Sequence, residues 1–178
     1  MRLKAINWLN IIFMLNLSIE HINESSPYTV VFTQHRTYSF KTDEGVCYDV
    51  GFVEDHMLGI DNVYQFFIEA ESTVSQHPDT KIQSTVYAIL EEFFNNGCMI
   101  LDYICDTSDG RQSVRNRLFS RWFRMYPRKS GFTIHSISAN SDGVLYYAAV
   151  VIRNDNPDYD LCMEAVDKFE DEIEDKLQ

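Results

Sequence analysis

Cys105-Asp106-Thr107-Ser108-Asp109-Gly110-Arg111-Gln112, with the run Ser113 to Phe123 behind it, joins an apolar strand to a helix. Ahead of this turn, Cys98 to Cys105 is short and nearly continuously apolar, the pattern of a strand covered on both faces. Behind it, helical spacing of apolar residues predicts a helix from about Gly110 to Tyr126, stopped by Pro127. Within that helix Val114, Leu118, Trp122 and Met125 line one face, expected to pack on a sheet.

The rest of the chain arranges itself around this segment. Tyr28 to Thr33 and Thr37 to Thr42 are β-branched and aromatic; Asp43-Glu44-Gly45 supplies a turn; Val46, Tyr48, Val50 and Phe52 then alternate with smaller or polar residues. That is a hairpin with one face toward a core. Asp55 to Asp61 reads as a loop and Asn62 to Ala70 as a further strand. Pro78-Asp79 opens a helix in which Ile82, Val86, Ile89, Leu90 and Phe93 recur at helical spacing, with Gly97 at its C-terminal cap. Gly131 to Ser138 and Val144 to Arg153 form a second hairpin across Asn140-Ser141-Asp142-Gly143, where Asp-Gly is the turn signal. Pro157 starts a last helix whose buried stripe is Cys162, Val166, Phe169, Ile173 and Leu177.

The predicted order is ββββ-α-β-α-ββ-α. Hairpins alternate with helices, so we expect an α+β fold, a mainly antiparallel sheet with about three packed helices, in one domain over residues 28–178. Residues 1–27 read as an N-terminal extension. Met1-Arg2-Leu3-Lys4 and the stretch Ala5 to Leu17 resemble the start of an export signal, but Asn7, Asn10 and Asn16 interrupt it and no small-x-small cleavage site follows. The segment is also short of the ~20 apolar residues of a membrane span. An ordered N-terminal helix or a start placed too far upstream fits better, and the protein is expected to be cytoplasmic.

Composition agrees with a folded domain: 178 residues, 45% hydrophobic, with twelve Phe and ten Tyr. The net charge of −12 disfavours indiscriminate attraction to nucleic acid or anionic membrane. Cys47, Cys98, Cys105 and Cys162 form no CxxC pair and no zinc spacing, so reduced, mostly buried thiols are expected.

Positive charge is concentrated in one place. Arg111, Arg115, Arg117, Arg121, Arg124, Arg128 and Lys129 follow one another with no acid between them. Arg117, Arg121, Arg124 and Arg128 share a helix face at i, i+4, i+7 and i+11. A helix N-terminus favours anions, and Arg111 in the first turn adds a fork for phosphate or carboxylate. Asp102, Asp106 and Asp109 offer oxygens to a divalent cation. Against both stands a structural explanation: Asp109 or Ser108 as N-cap, Asp109 with Gln112 at the offset of a capping box, and Gly110 permitting the turn. The arginine face beside Phe119, Phe123 and Tyr126 could contact a nucleic-acid backbone and stack on bases. Alternatively it pairs with the last helix, which carries Glu164, Asp167, Glu170, Asp171, Glu172, Glu174 and Asp175, within one chain or between two copies.

Catalytic patterns are sparse. The five histidines form no HxxxH, HExxH or HxH, and GxSxG and the phosphate-binding glycine motifs are absent. Cys105 beside Asp106, with His135 on a neighbouring strand, is the one nucleophile arrangement that can be drawn.

The pattern Cys105-Asp106-x-x-Asp109-Gly110-Arg111-Gln112-x-x-Arg115-x-Arg117-Leu118-Phe119-x-x-Trp122-Phe123 resembles the signature of a small uncharacterised family of Bacteroidetes proteins, a domain of unknown function. The upstream Tyr38-x-Phe40-x-Thr42-Asp43-x-Gly45-x-x-Tyr48-x-Val50-x-Phe52 is similar to that family's opening hairpin. The resemblance runs from about Thr37 to the C-terminus and implies no activity.

The leading expectation is a non-enzymatic binding or interaction module. Its site comprises Asp106, Asp109, Arg111, Gln112, Arg115, Arg117 and Arg121, and it uses no cofactor or metal. Its partner is a protein or a small anionic ligand, with nucleic acid less favoured. The alternative is an enzyme acting on a phosphate-containing or nucleic-acid substrate, with Arg111 and Arg115 as clamps and Asp106 or Asp109 as base or metal ligand. A third reading makes the arginines purely structural.

Overall fold

The computed structural model describes residues 15–71, 79–105, 107–141 and 143–177, the last helix's residues 174, 176 and 177 as backbone alone. Residues 1–14, Pro78, Asp106, Asp142 and the Leu177 side chain lie outside the described residues. In chain order the elements are α1 (Ile19–Ser25), β1 (Val30–Phe32), β2 (Tyr38–Lys41), β3 (Cys47–Glu54), β4 (Val63–Ala70), α2 (Thr80–Asn95), β5 (Ile100–Ile104) and α3 (Gln112–Met125). A short 3-10 turn (Lys129–Gly131) leads to β6 (Phe132–Ser141), β7 (Val144–Arg153) and α4 (Tyr159–Leu177).

The seven strands form one sheet in the order β1-β2-β3-β4-β5-β7-β6. It is antiparallel except at β4–β5, where Val63, Tyr64 and Gln65 run alongside Ile100, Leu101 and Asp102 in parallel. That exception follows from α2, which carries the chain back to the same end of the sheet before β5 begins. The sheet is thus mainly antiparallel, as the sequence leads one to expect, and this single crossover is its exception. Both expected hairpins form, Tyr38–Lys41 against Cys47–Val50 and Phe132–Ser141 against Val144–Arg153.

The sheet is covered on both faces around β5. On one face Leu101, Tyr103 and Cys105 join Val50, Phe66, Ala149 and Val151 beneath α2 and α3. On the other, Ile100 joins Val63, Val150 and Ile152 beneath α4, whose Cys162 and Val166 are fully buried. Phe93 of α2 anchors the first core, stacked on Phe52 of β3 at 4.6 Å between ring centroids. Asp79 caps α2 by accepting from the Lys81 N–H at 2.8 Å, and Gly97 follows the C-cap Asn96.

A fourth helix adds to the three expected. α1 and the residues before it pack on α2, with Leu17 and Ile22 in the core. The Tyr38 hydroxyl ties them down, accepting from the Leu17 N–H at 3.0 Å and donating to the Leu15 carbonyl at 3.1 Å. No helix among the described residues is long and apolar enough to cross a membrane.

Candidate functional site

β5 ends at Ile104, and the turn to α3 is built on Gly110, whose φ of +70° lies in the left-handed region that a side chain resists. Asp109 Oδ1 accepts from the Arg111 N–H at 3.0 Å. Its two oxygens also receive the Arg115 guanidinium as a fork, at 2.7 Å each. Those Arg115 hydrogen bonds, with the Arg111 N–H second, hold the Asp109 carboxyl well below the usual carboxylate range. The expected capping box does not form. The N-cap is Arg111, which makes no side-chain cap bond, because Asp109 is drawn back by the turn and spent on Arg115. Gln112, at the first position of α3, leaves its buried Oε1 without a hydrogen-bond partner among the described residues.

α3 is rolled relative to the expectation. Phe119, Trp122 and Phe123 pack against the core, whereas Val114, Leu118 and Met125 are 54%, 42% and 56% exposed. Of the four residues assigned to the sheet face, only Trp122 faces it. Both stripes satisfy helical spacing, so periodicity alone could not choose between them. Size does: aromatic rings bury the larger area and find rings below, Phe119 meeting Tyr103 at 5.0 Å and Phe66 at 6.0 Å between centroids. The aromatics therefore cannot serve as an exposed stacking platform for nucleic acid.

Arg117, Arg121 and Arg124 lie on the exposed side with Val114, Leu118 and Met125. Among the described residues none of the three forms an ion pair; Arg128 meets Glu91 at 3.2 Å. Among the described residues no ion pair joins α3 to the acidic last helix. α3 packs on the face of β7 that carries Ala149 and Val151, and α4 on the face that carries Val150 and Ile152. Strand alternation puts the two helices on opposite sides of the sheet.

The groups singled out for chemistry are separated in the same way. Cys105 is buried on the α3 side, where loss of water pushes its thiol up to about 11. His135 pairs with Val150 on the α4 side, and its Nε2 meets Glu170 Oε2 at 2.8 Å. The Cys105–His135 arrangement is thus ruled out by the sheet between them. Asp102 also faces the α4 side, away from Asp109, so a metal held jointly by those two is not assembled. It is only 2% exposed, and the polar group that faces it is a second acid, Asp55, close enough to repel its charge and to share a proton with it. Burial, then the Asp55 charge, pushes the Asp102 acid up to about 8.

One feature was missed in the sequence. A small cavity of ≈ 80 Å³ lies between α2, α3 and the sheet, lined by Phe66, Phe94, Tyr103, Phe119, Trp122 and Tyr126 among others. Its lip is polar: Tyr87 donates to the Trp122 carbonyl and Tyr126 donates to Glu91 at 2.9 Å. The signal was the spacing of Phe119, Trp122, Phe123 and Tyr126, which marks an inward helix face.

The molecule is thus an α+β domain, a seven-stranded sheet sandwiched between helices, with an arginine-bearing helix exposed along one side. Residues 78–168 match a family of unknown function, DUF6169; the match spans just over half of the chain, which belongs to that family. The matched stretch runs from α2 into α4, and so contains the turn and α3 but not the β2–β3 hairpin. Neither a curated protein nor a solved structure matches the chain.

Proposed function

We propose that this protein is a non-enzymatic interaction module of the cytoplasm that grips an acidic, amphipathic protein segment on the outward face of α3. The observation that carries the reading is the make-up of that face. Val114, Leu118 and Met125 are exposed in line with Arg121, flanked by Arg117 and Arg124, whose charges no carboxylate among the described residues neutralises. In a chain of net charge −12 this is a local reversal of sign, and at contact distance local potential governs binding. An apolar row interrupted by one cation and bordered along one side by two more fits a helix or strand whose apolar residues have acids beside them.

The remaining residues have supporting roles. Asp109 and Arg115 brace the turn, Gln112 starts the helix, and Arg111 stands at its exposed N-terminus; Asp106 is proposed from the sequence alone and lies outside the described residues. The enzyme reading needs Arg111 and Arg115 to converge on a substrate, but the Arg115 fork is occupied by Asp109 and the other arginines stand on an open face. A reducing compartment suits the thiols: Cys105 and Cys162 are buried in separate cores on opposite faces of the sheet.

Selection of a random peptide library on the immobilised full chain tests this. The enriched peptides should be acidic with apolar residues at i and i+3 or i+4, and should bind more weakly as salt rises. Arg121→Glu or Leu118→Asp should weaken them at least ~10-fold while leaving the melting temperature unchanged, as exposed substitutions usually do. Enrichment without acidic character, unchanged binding by both variants, or competition by oligonucleotides would overturn the proposal.

A further inference from the structure

The α4 side of the sheet carries a second constellation, unconnected with α3. β6 is an edge strand, and His135 points from it toward α4. The buried stripe Cys162, Val166 and Phe169 fixes how α4 lies, and Asp167 and Glu170 flank that stripe one turn apart. One ligand atom from each of His135, Asp167 and Glu170 lies within 4.8 Å of the other two. The His135 Nε2 to Glu170 Oε2 distance is 2.8 Å. Asp167 makes no hydrogen bond or ion pair among the described residues, so two carboxylates converge on one imidazole and only one of them is engaged by it.

We propose that His135, Asp167 and Glu170 bind one divalent transition-metal ion, clamping α4 to the edge strand. Bonds of ~2.0–2.2 Å in a tetrahedral site place ligand atoms ~3.3 Å apart, so side-chain rotations of ~1 Å suffice to close the site. One imidazole nitrogen and two carboxylate oxygens form a mixed N/O set, which suits zinc and its neighbours better than calcium or magnesium, which favour all-oxygen shells. Two carboxylates and a neutral imidazole also balance the 2+ charge. All three residues keep some exposure, so water can fill the remaining coordination position.

Titration of the chelator-treated full chain with zinc chloride in a calorimeter, and with cobalt(II) followed by visible absorption, decides the matter. The expected result is one ion per chain, a cobalt spectrum of a four- or five-coordinate N/O site, and a melting temperature raised by saturating zinc. Asp167→Asn, at an exposed position, should keep the apo melting temperature and weaken zinc at least ~10-fold; His135→Ala should do the same or more. Zinc bound equally by wild type and Asp167→Asn would overturn the site. So would a thiolate-to-cobalt charge-transfer band, which would move the ion to Cys47 or Cys98, or no heat of binding at all. In that last case the contact between His135 and Glu170 serves only to hold α4 on the sheet.

Discussion

Asp102 offers the sharpest test of the fold's energetics. A carboxyl buried between strands beside a second acid, Asp55, resists ionisation: its pKa rises from 3.8 to about 8. In the unfolded chain water restores the ordinary value. The folded state therefore holds the proton more tightly, and the contribution of this group is greatest below pH 4 and is lost as pH rises from there through about 8. At pH 7 the interval is ~3 pH units, each worth ~1.36 kcal/mol, so the native state is destabilised by about 4 kcal/mol. Asp102→Asn has the shape of the neutral acid and cannot ionise. It should match wild type near pH 4 and exceed it by about 4 kcal/mol near pH 7, or roughly 10 °C in melting temperature for a domain of this size.

Urea unfolding of both proteins at several values between about pH 4 and 8.5 reads this, because the difference between two such curves removes the groups that do not touch Asp102 and leaves the Asp102–Asp55 pair. Wild type should lose stability across the window while the variant stays comparatively flat. Parallel curves would refute the reasoning, for they would mean that Asp102 ionises in the folded protein at its usual pH. A variant less stable than wild type at pH 7 would refute it equally, by showing that the charged form is the one the fold accommodates.

Further outcomes follow from packing. Phe93→Ala, which removes a fully buried ring stacked on Phe52, should cost about 3–5 kcal/mol in urea unfolding. Gly51→Ala should cost about 1–3 kcal/mol, because the Phe67 ring lies across Gly51 where a Cβ would stand; pairing it with Phe67→Leu should recover part of the loss. Thiol titration of the native protein should label exposed Cys98 quickly and leave Cys105 and Cys162 untouched until urea is added. Rapid native labelling of Cys105 would show that α3 lifts from the sheet.

Local signals carried much of the fold. The run from Cys98 to Cys105 reads correctly as a strand covered on both faces, and from that the layered α+β arrangement follows. The turn at Asp43-Glu44-Gly45 and the start of α2 at Asp79 were equally legible, since each depends on residues within a few positions of one another. What escaped was decided at a distance. The parallel β4–β5 pair depends on where α2 delivers the chain, and α1 stays in place through contacts with α2 and Tyr38, which are far from it in sequence. The candidate site divides along the same line. That Arg117, Arg121 and Arg124 share a face is a matter of helical spacing and was readable. Which residues accompany them was not, because α3 has two apolar stripes and the choice belongs to the rings beneath it, Phe66 and Tyr103. That choice changes what the helix offers to a partner. With Phe119 and Phe123 outward, the helix would have offered cations and rings, a surface for nucleic acid. With Val114, Leu118 and Met125 outward it offers cations and aliphatic side chains, which suit an acidic protein surface instead.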